Sequence, residues 1–371
     1  MRRLTIAASL AALTLSLMPV LGRAEMEIAP PVNIKWNGFA QVWETLGEGP
    51  NSLAQGPTYD QNGALLKRLR FKMTAEAYDG LTLVLLPEVA GTTGFQLLDG
   101  YIQADLDKYI LDFGQPISVT LGQFKTPFGL NRMYTPPQLV FVNYSAITNN
   151  VFGSNNFWDD GLMVTYRLPK MFKLDLAAVD GQGPNLATPT GYFGTGGMQD
   201  GVARLDLQFI DGLSFGGSVY YGEHFRALGA GAPEFPVQGP SILPEGAAGV
   251  TVTSKVSGQR LLTGGHIQYK TFGKGFQLDL ECINRGVERG GFSGVTSYFL
   301  VDWLQLALGY DRVEVYGNDK AASTRYQAGL NWFPGGPLRI SLDEEASAAG
   351  TDQSLRPGSN SKSILQGQVT F

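Results

Sequence analysis

Apolar and polar residues alternate with a period of two along most of this chain. The stretch 64–78 places Leu65 and Phe71 on one face and Arg68 and Arg70 on the other. Successive side chains of a β-strand point to opposite faces, so a period of two is the repeat of a strand. The pattern therefore predicts strands with one apolar face and one polar face.

The same alternation recurs in about sixteen segments. They lie near residues 33–46, 64–78, 80–90, 97–107, 116–125, 159–168, 172–180, 199–209, 213–224, 259–271, 275–285, 292–300, 303–313, 321–332, 337–345 and 361–371. Each is close to the length of about 9–11 residues that a tilted membrane strand needs. Counts of 14 or 18 strands also fit, because strand ends read from sequence are uncertain by a few residues.

The connections between these segments alternate between short and long. Short turns include Asp79-Gly80, Pro169-Lys170 and Asp211-Gly212. The long connections are 47–63, 126–158, 181–198, 225–258 and 346–360. Short turns at one end and long loops at the other are typical of outer-membrane barrels, and a barrel of this size encloses a water-filled channel. The chain is therefore predicted to be an all-β, antiparallel transmembrane barrel with both ends of the chain on the periplasmic side.

Aromatic residues fall at the predicted periplasmic ends of the strands: Tyr78, Phe172, Phe209, Phe272, Trp303, Trp332, Phe333 and Phe371. Such rings anchor a barrel at the membrane–water interface. Bacterial outer-membrane barrels usually end in an aromatic residue that the barrel-assembly machinery reads, so Phe371 predicts that machinery as a partner. A soluble exported β-sandwich would also alternate, but the loop lengths and Phe371 disfavour it.

The N-terminus predicts export. Met1-Arg2-Arg3 precede an apolar stretch that ends near Gly22-Arg23-Ala24, which is the pattern of a cleaved signal peptide over 1–24. A short periplasmic segment at 25–32 and one barrel domain over 33–371 would follow. No later run reaches about 18 apolar residues, so no helical span is predicted.

Composition removes several classes of function. The 371 residues include 28 Lys+Arg and 33 Asp+Glu, for a net charge of −5 that offers no footprint for nucleic acid. One cysteine, Cys282, and two histidines, His224 and His266, supply neither a disulfide nor a clustered metal site. No nucleophile–base, zinc-protease or phosphate-loop motif occurs. We therefore predict a protein that is not an enzyme and needs no cofactor or metal.

Basic residues form the candidate site. Arg68, Arg70 and Lys72 alternate along the polar face of one strand, about 6.5 Å apart. Guanidinium forks hold oxyanions through paired donors. Lys125 precedes the connection 126–158, and Arg132 is the only basic residue within that connection. The alternative for Arg68, Arg70 and Lys72 is a salt-bridge network that only fills the barrel wall. For Lys125, the alternative is an ion pair with an acid that only holds the loop in place.

Three stretches resemble the phosphate-selective porin O and P family. Gly122-Gln123-Phe124-Lys125-Thr126-Pro127-Phe128-Gly129-Leu130 resembles its F-K-x-P-F-G-L signature, Lys67-Arg68-Leu69-Arg70-Phe71-Lys72 its early basic strand, and Trp158-Asp159-Asp160-Gly161 its return strand. The resemblance implies a sixteen-stranded, usually trimeric pore whose third loop folds into the channel. It also implies an anion site at the positions of Arg68, Arg70 and Lys125. One departure is that the connection 126–158 holds mostly uncharged residues.

Together these features predict a passive outer-membrane channel for small hydrophilic solutes. The resemblance implies a preference for phosphate or other anions. A general or cation-preferring porin is one alternative, and a non-conducting barrel with a scaffold or adhesin role is another. The expected partners are outer-membrane lipid, further copies in a homotrimer, and small solutes or inorganic anions. No nucleic-acid partner is expected.

Overall fold

A single closed barrel contains all of the strands in the described part of the chain. The computed structural model describes residues 32–46, 63–90, 94–109, 116–149, 158–181, 200–222, 260–271, 273, 275–286, 289–315, 322–349 and 361–371. The predicted signal peptide, most of the long loops, Phe272 and His224 lie outside these ranges.

Sixteen antiparallel strands make up the barrel, which confirms the predicted number. They are β1 Asn33–Leu46, β2 Gly63–Tyr78, β3 Leu81–Ala90, β4 Gly94–Asp105, β5 Ile117–Lys125, β6 Trp158–Leu168, β7 Phe172–Val179, β8 Asp200–Ile210, β9 Leu213–Gly222, β10 Arg260–Lys270, β11 Phe276–Arg285, β12 Arg289–Val301, β13 Leu304–Val315, β14 Ser323–Gly335, β15 Leu338–Ala349 and β16 Ser361–Thr370. Every strand end lies within about four residues of its predicted position, as period-two patterning allows.

The first and last strands close the sheet. Each strand pairs with its neighbours in sequence, and β1 pairs with β16 from Phe39↔Thr370 to Leu46↔Ser363. The terminal Phe371 continues this pairing, because its backbone N–H donates to the carbonyl of Gly38. Closure leaves no free sheet edge, which is the condition for strands to cross the apolar core of a membrane.

The two faces of the strands separate as predicted. Apolar side chains such as Trp36, Ile102 and Leu308 are exposed on the outside of the barrel. Polar side chains such as Gln41 and Asp343 are buried on the inside. The barrel thus presents an apolar surface to its surroundings and a polar one to its lumen.

A β-bulge in β2 changes the faces at the start of that strand. Gln41 pairs with Arg68 and Val42 pairs with Leu66, so Lys67 is the extra residue. A bulge reverses the alternation beyond it. Leu65 was predicted on the outer face, but the bulge turns it inward, where it packs beside Trp43.

Tight turns close one end of the barrel. Gly80 and Gly212 adopt positive φ angles of 84° and 81° in the turns after β2 and β8, where glycine is unstrained. A short helix, α1 (Leu106–Tyr109), follows β4. Within the described ranges, no helix has the length and apolar character needed to cross a membrane.

Most of the predicted aromatic belt lies on the outside at this end. Tyr78, Phe209, Trp303, Trp332 and Phe371 are exposed there. Phe333 was predicted in the same belt, but its ring lies on the inner side of the barrel. Its ring lies 5.6 Å from that of Phe299 and 5.9 Å from the guanidinium of Arg339, whose side chain points into the barrel.

Candidate functional site

The third loop at the end of the barrel opposite the tight turns folds into the barrel. We call it L3; it joins β5 to β6, and residues 126–149 of it are described. Two short 3-10 helices, Asn131–Met133 and Pro136–Gln138, shape its middle. Phe128 and Ile147 are fully buried within the lumen, which confirms the predicted inward fold. L3 therefore narrows the lumen of the barrel.

Carboxylates of the barrel wall hold the backbone of L3. Both oxygens of Glu281 on β11 accept backbone hydrogen bonds, from Leu130 at 2.6 Å and from Asn131 at 3.1 Å. Asp343 on β15 accepts from the N–H of Val142 at 2.6 Å. These acids satisfy donors that an irregular buried loop would otherwise leave without partners.

Arginines of the wall satisfy the loop's carbonyls in the same way. Arg339 on β15 donates to the carbonyls of Leu139 and Val140, each at 2.6 Å. Asn331 also donates to Val140, at 3.0 Å. Hydrogen bonds from a charged donor are the stronger kind, so Arg339 anchors the centre of L3.

A second arginine holds the returning half of L3. Arg325 on β14 pairs with Asp311 through a bond of 2.8 Å from its Nε and donates to the carbonyl of Tyr144 at 3.0 Å. Asp311 in turn accepts from the backbone N–H of Ala146 at 2.9 Å. The two side chains of this buried pair bind each other and the backbone of L3.

Glycines of the wall make room for the loop's apolar side chains. A Cβ added to Gly309 would lie 2.6 Å from the ring of Phe141, and one at Gly329 would lie 3.0 Å from it. Both distances are too short for a side chain in contact with a buried ring. The close approach of Phe141 to the wall therefore depends on glycine at these positions.

The predicted ladder on β2 contains a neutralised member. Arg70 is buried and forms an ion pair with Glu88 on β3, with side chains 6% and 10% exposed. Its guanidinium lies 5.6 Å from the ring of Phe39 and 5.4 Å from that of Trp158. Contacts of this kind stabilise a desolvated cation. Arg70 is thus held by the wall and not free to bind a solute.

Arg68 and the bulged Lys67 share the ring of Trp43. The Nζ of Lys67 lies 4.5 Å from that ring, and the guanidinium of Arg68 lies 5.8 Å from it. Arg68 also donates to Oε1 of Gln41 at 3.1 Å. Arg68 stays half-buried, so it retains access to the lumen.

Lys72 is the member of the ladder with the fewest contacts. It is half-buried, and in the described part of the chain it makes neither an ion pair nor a side-chain hydrogen bond. Asp99 on β4 lies within electrostatic range of it. Lys72 therefore keeps most of its charge available to a passing solute.

Lys125, the last residue of β5, lies near the same Trp158 ring as Arg70. Its Nζ donates to the carbonyl of Tyr134 at 2.7 Å and lies 5.3 Å from the centre of Trp158. It therefore fixes the path of L3 beside the ladder. We refer to Lys67, Arg68, Arg70, Lys72 and Lys125 as the cation wall.

Arg132 does not join the cation wall. Its side chain is 0% exposed and lies near Asp159, Tyr220 and Glu281, between L3 and the strands. Burial lowers the pKa of this guanidinium, and the nearby acids oppose the shift. Of the five predicted site residues, the structure brings four together and places Arg132 behind the loop.

L3 itself brings no charge to the lumen. Residues 126–149 contain no Asp or Glu, and Arg132 is their one base. The charges that face the lumen beside L3 therefore come from the barrel strands, and the cation wall is one group of them.

The aromatic rings that contact the cations were not among the predicted site residues. Phe39 and Trp43 share the parity of Gln41 on β1, so the alternation places them on the inner face. That signal was available. Lys67 had no such signal, because its orientation depends on a bulge.

Other reactive groups form no site. Cys282 is exposed on the outer face. Within the described ranges, no three His, Cys, Asp or Glu side chains are grouped so as to hold a metal ion.

Solved outer-membrane barrels share this fold. No protein-family profile and no curated protein matches the sequence. OmpT, an outer membrane protein of Vibrio cholerae, has a TM-score of 0.58 at 10% identity, covering 94% of this chain and 100% of that one; it also has a trimer form. The outer membrane channel DcaP of Acinetobacter baumannii has 0.58 at 12%, covering 93% and 99%.

A third similar structure is an anion-selective porin from Comamonas acidovorans, with a TM-score of 0.56 at 10% identity, covering 92% of this chain and 100% of that one. Such low identities support a shared fold and nothing finer, so membership of the phosphate-selective family stays a prediction. The chain is a closed sixteen-stranded antiparallel β-barrel with the fold of outer-membrane porins.

Proposed function

We propose that this protein is a passive channel of the outer membrane that conducts small hydrophilic solutes and prefers anions. The observation that carries the proposal is the placement of charge beside L3. Five basic side chains line one side of the lumen, with Glu88 and Asp99 as the acids nearest to them. L3 itself adds no acid. Fixed positive charge in a low-dielectric wall attracts anions and repels cations.

The acids of the far wall do not oppose this field strongly. Glu281 and Asp343 accept hydrogen bonds from the backbone of L3, and Asp311 is paired with Arg325. L3 also lies between them and the passage. Their charge is therefore compensated and shielded, whereas Lys72 and Arg68 remain accessible.

The magnitude of the preference follows from Coulomb's law. In water, a unit charge about 7 Å from a passing ion contributes about 0.6 kcal/mol, which changes the local ion concentration about threefold. Two accessible cations would therefore raise the local anion concentration about sevenfold at low salt and lower the local cation concentration by about the same factor. Guanidinium and ammonium groups together also suit oxyanions such as phosphate.

Location and assembly follow the same proposal. The predicted signal peptide would direct export, and the apolar outer face suits insertion in the outer membrane. A homotrimer is proposed because the trimeric form of the similar OmpT barrel shows that this architecture supports one.

Single-channel recording in a planar bilayer tests the proposal. We expect conductance steps from the wild-type protein and, in a salt gradient, a reversal potential on the anion side. The double variant R68Q/K72Q should lose most of this selectivity and still conduct. R312Q is the matched control, because Arg312 points outward and pairs with Glu314. Equal selectivity in wild type and R68Q/K72Q would refute the assignment.

A second candidate is a barrel closed by its own loop. Val142 of L3 reaches across the lumen to pack against Trp43 on β1 and Ile364 on β16. That contact favours a narrow passage. Correctly inserted protein that gives no conductance steps would establish this scaffold role in place of the channel.

A further inference from the structure

A buried histidine lies where L3 enters the barrel. His266 on β10 points into the lumen, and its side chain is 2% exposed. Its Nε2 lies 3.0 Å from Oδ1 of Asp206, whereas its Nδ1 has no hydrogen-bond partner. Buried ring nitrogens usually have partners. The unpaired Nδ1 therefore needs an explanation.

One side of the imidazole is connected to L3 through two residues. Asp206 on β8 receives two hydrogen bonds from Arg204, at 2.8 Å and 2.9 Å. Arg204 also donates through Nη1 to the carbonyl of Gly129, the fourth residue of L3. His266 thus lies in a continuous chain of hydrogen bonds that ends on the loop backbone.

The other side of the imidazole faces a second anchor of L3. Glu281 is the direct cross-strand partner of His266, and such partners have neighbouring side chains. Each oxygen of Glu281 accepts one hydrogen bond from L3, from Leu130 or Asn131. A carboxylate oxygen has two lone pairs. Glu281 can therefore accept a third bond without releasing the loop.

A glycine beside the imidazole of His266 leaves the space that the ring occupies. Gly216 on β9 lies against the imidazole, and a Cβ at that position would overlap both Cε1 and Nε2. Only glycine leaves room for the ring there, because any side chain carries a Cβ.

The charges that face His266 leave a place for one more positive charge. Asp206 on β8, with its partner Arg204, and Glu281 on β11 flank the ring; β9 contributes Gly216 and Ser218, which do not titrate. On L3, Arg132 lies near Glu281, and Tyr134 lies near Glu281 and Asp279; burial and Asp279 raise the pKa of Tyr134, so the phenol stays neutral. With a neutral imidazole, the two carboxylates that flank the ring face one guanidinium group, that of Arg204.

We propose that His266 is a proton-operated latch that tightens L3 against the wall as the pH falls. One proton from solvent binds Nδ1 of the neutral imidazole. The new N–H donates to Glu281 while Nε2–H stays on Asp206, so both anchors of L3 are reinforced. Histidine is the side chain that ordinarily titrates between about pH 5 and 8. Any effect on conduction rests on the proposed channel function, but the latch itself does not.

Hydrogen–deuterium exchange at the amides of Leu130 and Asn131 tests the latch. After correction for the intrinsic pH dependence of exchange, wild-type protection should be about tenfold higher at pH 5.5 than at pH 8, as one added charge-assisted hydrogen bond implies. H266Q keeps a donor for Asp206 but does not titrate, so its protection should not change with pH. Protection that is independent of pH in wild type would overturn the proposal.

The chain provides its own control, because it contains only two histidines, His224 and His266. H224Q should retain the full pH dependence, with His266 as its only histidine. Loss of the pH dependence in H224Q, or its persistence in H266Q, would overturn the assignment even if one variant folded poorly. In bilayers, closures of the wild-type channel should become rarer at pH 5.5. A protein whose amide protection rises at pH 5.5 but that gives no conductance would refute the channel and support the latch.

Discussion

Removing the guanidinium of Arg339 should loosen the centre of L3 and widen the channel. Arg339 donates to the carbonyls of Leu139 and Val140 at 2.6 Å. The substitution Arg339→Met keeps the length and apolar character of the side chain and removes all of its donors. The loop carbonyls would then lose their charged partner inside the barrel.

The size of the effect follows from the hydrogen bonds lost. A hydrogen bond to a charged group contributes about 1.5–3 kcal/mol, so two of them contribute about 3–6 kcal/mol. Asn331 still donates to Val140 at 3.0 Å, which offsets part of the loss. We therefore expect the lower end, about 3 kcal/mol, or roughly a hundredfold shift toward a displaced loop.

Two measurements check this result. Single-channel recording should show a larger and noisier conductance, and hydrogen exchange around Val140 should be faster by one to two orders of magnitude, about the shift estimated above. Arg312→Met is the matched control, since it removes an exposed, outward-facing arginine and its pair with Glu314. Unchanged conductance and unchanged exchange in Arg339→Met would show that L3 is not held by this arginine.

Three further changes test separate parts of the site. Gly309→Val should displace Phe141 and lower the unfolding free energy by about 1–3 kcal/mol, measured by thermal unfolding against Gly367→Val, whose added side chain meets open space. Lys72→Glu should move the reversal potential toward cations, and a potential that stays on the anion side would contradict the role of this lysine. Trp158→Phe should lose the 2.8 Å bond to Asp99 and about 1 kcal/mol of stability, with anion preference retained; a loss of preference would show that the indole, and not the charge, sets selectivity.

The sequence by itself determined the barrel. Alternation in β2, where Phe71 faces out and Arg70 faces in, is a local property of an extended chain and needs no knowledge of neighbours. The same holds for the strand number and for the cations of the ladder. The inward orientation of Phe39 and Trp43 could also have been predicted, because each lies two residues from the polar Gln41 on the same strand.

The tertiary structure alone decided what each of these residues does. Arg70 and Lys72 have the same parity and similar charge, yet Arg70 is neutralised by Glu88 while Lys72 remains accessible. The difference lies in cross-strand register, because Arg70 lies directly opposite Glu88 on β3, and a period-two pattern does not encode which residues of neighbouring strands pair.

The path of L3 could likewise not be predicted from the sequence. Arg132 is the single base of the described loop and was expected in the lumen, but the loop turns it toward the wall. Glu281 and Asp343 lie on the inner face of their strands, where they accept hydrogen bonds from the loop's backbone. A buried loop without regular structure must find partners for its own N–H and C=O groups. Which side chains supply them depends on where the whole chain places the loop, so only the folded barrel could decide it.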